Sequence, residues 1–183
     1  MNESIAAPQA AYPYLLKQDG NERVLLWVDG GREKDYFLTM SSGQLLIGDS
    51  VAQMCKELNP SENMAIHWDE SGEIDLDQFW KKIRGLRNGR ASSQETCSVI
   101  LAGWNFLEDL ARTVSVRQDL PIFSDELIQR AYEKIFGGCN LPSVTPEGRE
   151  YQPIWQTDEI AALRSTMKQL WQYIVNMAPR LIS

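Results

Sequence analysis

Residues 93 to 114 read SQETCSVILAGWNFLEDLARTV, and two apolar stripes run through them at helical spacing. Cys97, Ile100, Leu101, Trp104, Leu107 and Ala111 form the first, while Val99, Gly103, Phe106 and Leu110 form a second beside it. A helix apolar over so much of its circumference must be wrapped by other elements, so this stretch predicts the central helix of the fold. Ser92 with Glu95 three positions later makes a capping-box pattern, in which side chains satisfy backbone donors that lack helical partners.

Toward the N-terminus the pattern changes. The segments YLLKQ, RVLLWV and DYFLTM are short and rich in aromatic and aliphatic residues, with turn signals at Asp19-Gly20-Asn21 and Asp29-Gly30-Gly31 between them. They predict an antiparallel meander. QLLIG at residues 44 to 48 is a candidate fourth strand, and Asp49 or Ser50 can then cap a helix with Val51, Met54, Cys55 and Leu58 on one face. Asn59-Pro60 ends it. MAIHW follows as a further strand, DESGE as an acidic turn, and Asp75 opens a helix carrying Leu76, Phe79, Ile83 and Leu86.

Beyond the central helix, Ser124 starts another, with Asp125 and Glu126 in its first turn and Gly137-Gly138 as its stop. Pro142, Pro146, Gly148 and Pro153 mark residues 139 to 153 as a surface excursion. Thr157 or Asp158 caps a last helix that reaches Met177 and stops at Pro179. Residues 1 to 11 are small and polar and are expected to be disordered, with structure beginning near Tyr14. The expectation is one α+β domain over residues 1 to 183: strands up to about residue 70 form a small antiparallel sheet, which packs against a C-terminal helical layer.

Composition narrows the function classes. A hydrophobic share of 43% with 23% charged residues is globular, and no run of about 18 apolar residues is present to cross a bilayer. The start MNESIAAPQAAYPY lacks the basic and apolar regions of a secretory signal, so a cytoplasmic protein without membrane attachment is expected. Cys55, Cys97 and Cys139 are widely spaced without a CxxC pair and are expected to be reduced, buried thiols. Acids outnumber bases 25 to 18, a net charge of −7, which disfavours direct nucleic-acid binding and favours a cationic partner.

Few residues carry a chemical signature. His67 is the only histidine and lacks a neighbouring nucleophile pattern, so a structural or interface role is the better fit. Gly30-Gly31 and Gly137-Gly138 lack the spacing of phosphate loops, and histidine and cysteine are not spaced to hold zinc; no cofactor is expected. Asn105, Glu108 and Asp109 share one helical face, which permits a metal or general-acid site. Arg112 falls on that same face, three places after Asp109 and four after Glu108, and can neutralise either acid. Helix packing and partner recognition are therefore preferred over catalysis.

The densest acidic patch is DESGEIDLD at residues 69 to 77. Asp75 and Asp77 suit a helix start, where acids complement the dipole. Asp69, Glu70 and Glu73 precede the helix, and together with Asp75, Asp77 and Trp68 they form a candidate surface for a cationic partner. Trp27, Trp68, Tyr151 and Trp155 are the candidate aromatic anchors for such a partner, although core or loop packing is the better fit for each.

The run Trp104-Asn105-Phe106-Leu107-Glu108-Asp109-Leu110-Ala111, preceded by Phe79-Trp80 and Ile83-Arg84, resembles small immunity proteins of bacterial contact-dependent growth inhibition and related polymorphic toxin systems. In these a helix carrying Trp-Asn, a bulky apolar pair and one or two acids recurs, and the likeness spans about residues 60 to 115. The resemblance implies a non-catalytic cytosolic protein that neutralises a cognate toxin domain, often a nuclease, by stoichiometric binding. Its motif carries no catalytic residue to transfer. Two other classes stay open on the residues alone: a carboxylate-based metal-dependent enzyme using Asn105, Glu108 and Asp109, and an adaptor subunit docking through a helical face.

Overall fold

The computed structural model describes residues 9–31, 34–58, 64–115, 125–143, 145–146 and 149–181. Its first two strands, β1 (Gln9–Gln18) and β2 (Asn21–Val28), form an antiparallel hairpin in which Gln18 faces Asn21. Asp19 and Gly20 make the two-residue turn with φ of 51° and 76°, the positive values that match a tight turn to the twist of its strands. β3 (Tyr36–Phe37) continues the antiparallel pairing on the far side of β2.

The other edge departs from a purely antiparallel sheet. Both β4 (Met64–Ile66) and β5 (Gly72–Asp75) run parallel to β1, β4 beside its first residues and β5 beside Tyr14 to Lys17. Part of the acidic segment expected to be a turn is thus a strand, because β1 is long enough to pair with two short strands in succession. β1 also begins at Gln9, well before Tyr14, so residues 9 to 11 belong to the sheet, while residues 1 to 8 lie outside the described residues. The candidate strand at residues 44 to 48 is reduced to two isolated bridges, Leu45 with Thr39 and Gly48 with Val24.

Alternation along the strands sends side chains to two covered faces. Val24, Leu26 and Met54 pack with Leu15, Leu38 and Trp68 on one face, beneath α1 (Val51–Glu57), which Ser50 caps by accepting from the Gln53 amide at 3.2 Å. The expected stop at Asn59-Pro60 lies outside the described residues. On the opposite face Leu16, Leu25 and Phe37 join the main core, which α2 (Leu76–Gly85), α3 (Gln94–Val114), α4 (Glu126–Gly138) and α5 (Thr157–Met177) complete. A 3-10 turn, Pro179–Leu181, closes the described chain and buries Leu181.

α3 is the buried centre that its two stripes predict. Ile100, Leu107, Leu110 and Ala111 are inaccessible to solvent, and Gly103 meets α2 so closely that an added Cβ would lie 2.1 Å from a ring carbon of Phe79. Ser93 caps this helix by accepting from the Thr96 amide, one residue later than the Ser92–Glu95 pattern predicts. Ser92 is instead buried and accepts a 2.8 Å bond from the indole N–H of Trp155. Trp155 therefore belongs to the core, and the surface excursion expected over residues 139 to 153 begins at buried Cys139 and ends at buried Pro153. α4 is capped by Asp125, with Ser124 outside the described residues, and Gln156 occupies the cap position of α5, one residue before the expected Thr157.

Two polar ties hold the helices in place. Lys134 of α4 reaches the buried carboxylate of Glu159 on α5 at 2.6 Å. Arg164 of α5 donates to the carbonyls of Ile83, Arg84 and Leu86 at the end of α2. Replacing Gly103 by alanine should lower the unfolding free energy by about 1–3 kcal/mol, since the fully buried Phe79 ring would have to move. Urea denaturation of the single variant measures this.

Candidate functional site

The polar residues of α3 gather on the one strip that neighbouring elements leave uncovered. Asn105 is exposed, Glu108 and Asp109 are half-buried, and Arg112 is buried between the two acids. Its guanidinium donates to Glu108 at 2.6 Å and to Asp109 at 2.9 Å, and also to the backbone carbonyl of Asp35 at 3.2 Å. The neutralisation expected from spacing is present, and it ties α3 to the chain entering β3. Thr113 strengthens that tie by accepting from the Phe37 amide at 2.9 Å while donating to the Asp109 carbonyl at 2.7 Å.

Beside this strip the sheet carries an aromatic floor. Cross-strand pairing sets Tyr12 opposite Trp27, and Trp27 opposite Phe37. Their rings continue into one another: Tyr12 lies 5.8 Å from Trp27, Tyr14 stacks on Phe106 at 5.6 Å, and His67 stacks on Tyr12 at 5.0 Å. A cavity of about 230 Å3 opens where this floor meets α3, lined by Tyr14, Trp27, Asp35, Phe37, Asn105 and Asp109 among others. A shallower hollow of about 420 Å3 adjoins it, sharing Asp35, Asn105 and Asp109 and adding Glu108, Arg112 and Lys34.

Burial dominates the ionisation of this site. It pushes the Asp109 carboxyl up to about 6 from an ordinary 3.8; Arg112 opposes the shift, the Asp35 charge adds to it, and a hydrogen bond from Trp27 again opposes it. Tyr14 is likewise raised, first by burial and then by the charge of Asp109. Among the described residues no group of three or more histidine, cysteine or acidic side chains is placed to hold a metal ion. The guanidinium of Arg112 fills the position between Glu108 and Asp109 that a shared cation would need.

The acids of residues 69 to 77 do not form one cluster. Asp75 caps α2 by accepting from the Gln78 amide at 2.9 Å, and Asp77 accepts from the Asp19 amide at 2.9 Å, fastening the hairpin turn to that helix. Glu73 points outward from β5 and pairs with Lys17 at 2.8 Å. Asp69 and Glu70 are exposed where β4 passes to β5, with Glu70 3.8 Å from His67. Trp68 is half-buried against Leu26 and Met54 rather than displayed.

Of the other expected anchors, Trp27 is half-buried in the aromatic floor, Tyr151 is exposed beside Gly137, and Trp155 is core. Sequence reasoning misses Tyr14, Asp35 and Phe37 as companions of the α3 strip. A contact such as that of Phe37 with Thr113, 76 positions apart, leaves no local spacing to find it. Cys97 and Cys139 are buried free thiols, as expected, whereas Cys55 is exposed on α1.

No helix among the described residues is long and apolar enough to cross a membrane. Comparison with models of known protein families, with curated proteins and with solved structures finds no match.

Two outcomes follow from the ion-pair geometry. Arg112→Met leaves both acids without their shared cation and should cost about 3 kcal/mol of unfolding free energy, read by urea denaturation at pH 7. Asp109 binds its proton more tightly folded than unfolded, so its contribution to stability is full at acid pH and declines as pH rises from about 4 through about 6. Asp109→Asn cannot ionise. Between pH 4 and pH 7 it should therefore gain about 2 kcal/mol relative to the parent protein, measured by parallel denaturation series.

Proposed function

We propose that this protein is a non-catalytic immunity protein that binds and neutralises a cognate toxin domain, a cationic nuclease being the class its charge suits. The observation that carries this is the exposed acidic edge of the sheet, where Asp69, Glu70 and Glu73 lie along and between β4 and β5. Among the described residues both strands pair only with β1, so this edge has backbone and carboxylates facing outward together.

An isolated edge strand often carries charge simply to prevent aggregation. Two further features favour recognition. The protein has an excess of seven negative charges, which would speed encounter with a basic partner through long-range attraction. The carboxylates of α3 that most resemble a reactive pair are already engaged by Arg112, which suits a scaffold for binding. A nuclease bears cations where phosphate would sit, and an acidic edge laid over them blocks the substrate.

Co-expression with the toxin encoded by the neighbouring gene should restore growth and yield a one-to-one complex on gel filtration. A toxin that stays fully active, with no complex, would reject the proposal. Asp69→Lys with Glu70→Lys should slow association about tenfold at low salt and flatten its dependence on ionic strength, measured by stopped-flow mixing. Both positions are exposed, so the folded protein should tolerate the change.

A further inference from the structure

We infer that the cavity between the aromatic floor and α3 receives an arginine side chain presented by the partner, an assignment that rests on the function proposed above. Its wall chemistry selects a planar cation. Trp27 and Tyr14 contribute aromatic rings, Asp35 and Asp109 contribute two carboxylates, and among the described residues no lysine or arginine lines the 230 Å3 cavity itself. At about 30 Å3 per water it has room for about eight water molecules, enough for one side-chain head group.

Each feature narrows the occupant. An apolar side chain would add nothing to the acidic lining, and an anion would be repelled by it. Between the two common cations, a flat guanidinium can stack on an indole while donating in parallel to a carboxylate, whereas an ammonium is a compact and more strongly hydrated charge. Arg112 already shows one guanidinium held by Asp109 from the helix side. Asp35 lines the cavity as well, and one oxygen of its carboxyl accepts the Gly30 amide at 3.0 Å.

The location also fits the proposed edge. Tyr12 bridges the floor to β4, with His67 stacked on one side of it and Trp27 on the other, and His67 lies 3.8 Å from Glu70. One strip thus leads from the acidic edge across three rings to the cavity. A partner steered by the edge acids would find its arginine socket on the same side of the molecule, where desolvation makes the charge pairing stronger than on the open edge.

The test separates the socket from the partner. Titration of the whole protein with N-acetyl-arginine amide, followed by NMR at the Trp27 indole N–H, should give a saturable shift with a Kd of about 1–10 mM. The lysine and citrulline amides should bind about tenfold more weakly, and Asp35→Asn with Asp109→Asn should abolish the arginine shift while circular dichroism stays unchanged. No saturable shift, or equal binding of citrulline, overturns the assignment. In the complex with the toxin, the same double variant should weaken affinity about tenfold or more, and unchanged affinity also overturns it. Absence of any toxin complex with the parent protein would count against the proposed function alone, because the amide titration still decides the socket.

Discussion

Helix α3 must be covered on nearly every side, and the rest of the molecule is arranged to do so. It packs on the sheet, α2, α4 and α5 at once, and the absence of a side chain at Gly103 lets Phe79 of α2 approach its backbone. Close packing around one helix makes its position a shared boundary condition for the neighbouring elements. It also concentrates polar groups. With most of the circumference taken by core contacts, Asn105, Glu108, Asp109 and Arg112 have only one strip on which to lie, and that strip borders the sheet.

Burial of this strip shapes its electrostatics. Arg112 satisfies two carboxylates and a carbonyl from a position nearly inaccessible to water, yet Asp109 still ionises less readily than an ordinary aspartate. Desolvation outweighs the neighbouring cation there, a balance expected when a charge is withdrawn from water beside aromatic rings. Asp75 and Asp77 show the contrasting case of acids near the surface. They serve the backbone by capping α2 and the hairpin turn, and are less available to a partner than Asp69 and Glu70.

The sheet joins these regions because of β1. Ten residues long, it pairs with β2 from Ala11 to Gln18 and offers its other side first to β4 and then to β5. That succession leaves residues 67 to 71 between two short strands at an edge, where the acids are displayed. It also lines up His67, Tyr12 and Trp27 across the same face, linking the edge to the cavity at α3. A single long strand therefore places the two proposed recognition features side by side.

Local signals in the chain settled the elements whose cause is local. Helical periodicity marked α3, the Asp19-Gly20 dipeptide marked the hairpin, and the spacing of Arg112 from Glu108 and Asp109 foretold their ion pair, because residues within one turn face each other whatever surrounds them. Capping residues were placed to within one position: Ser93 takes the place of Ser92, since only packing could show that Ser92 is needed by Trp155. The parallel pairing of β4 and β5, the burial of Trp155, and the meeting of Asp35, Tyr14 and Trp27 with α3 were decided by tertiary structure. Partners in those contacts are far apart along the chain, and periodicity records which face a residue occupies but not what will be packed against it.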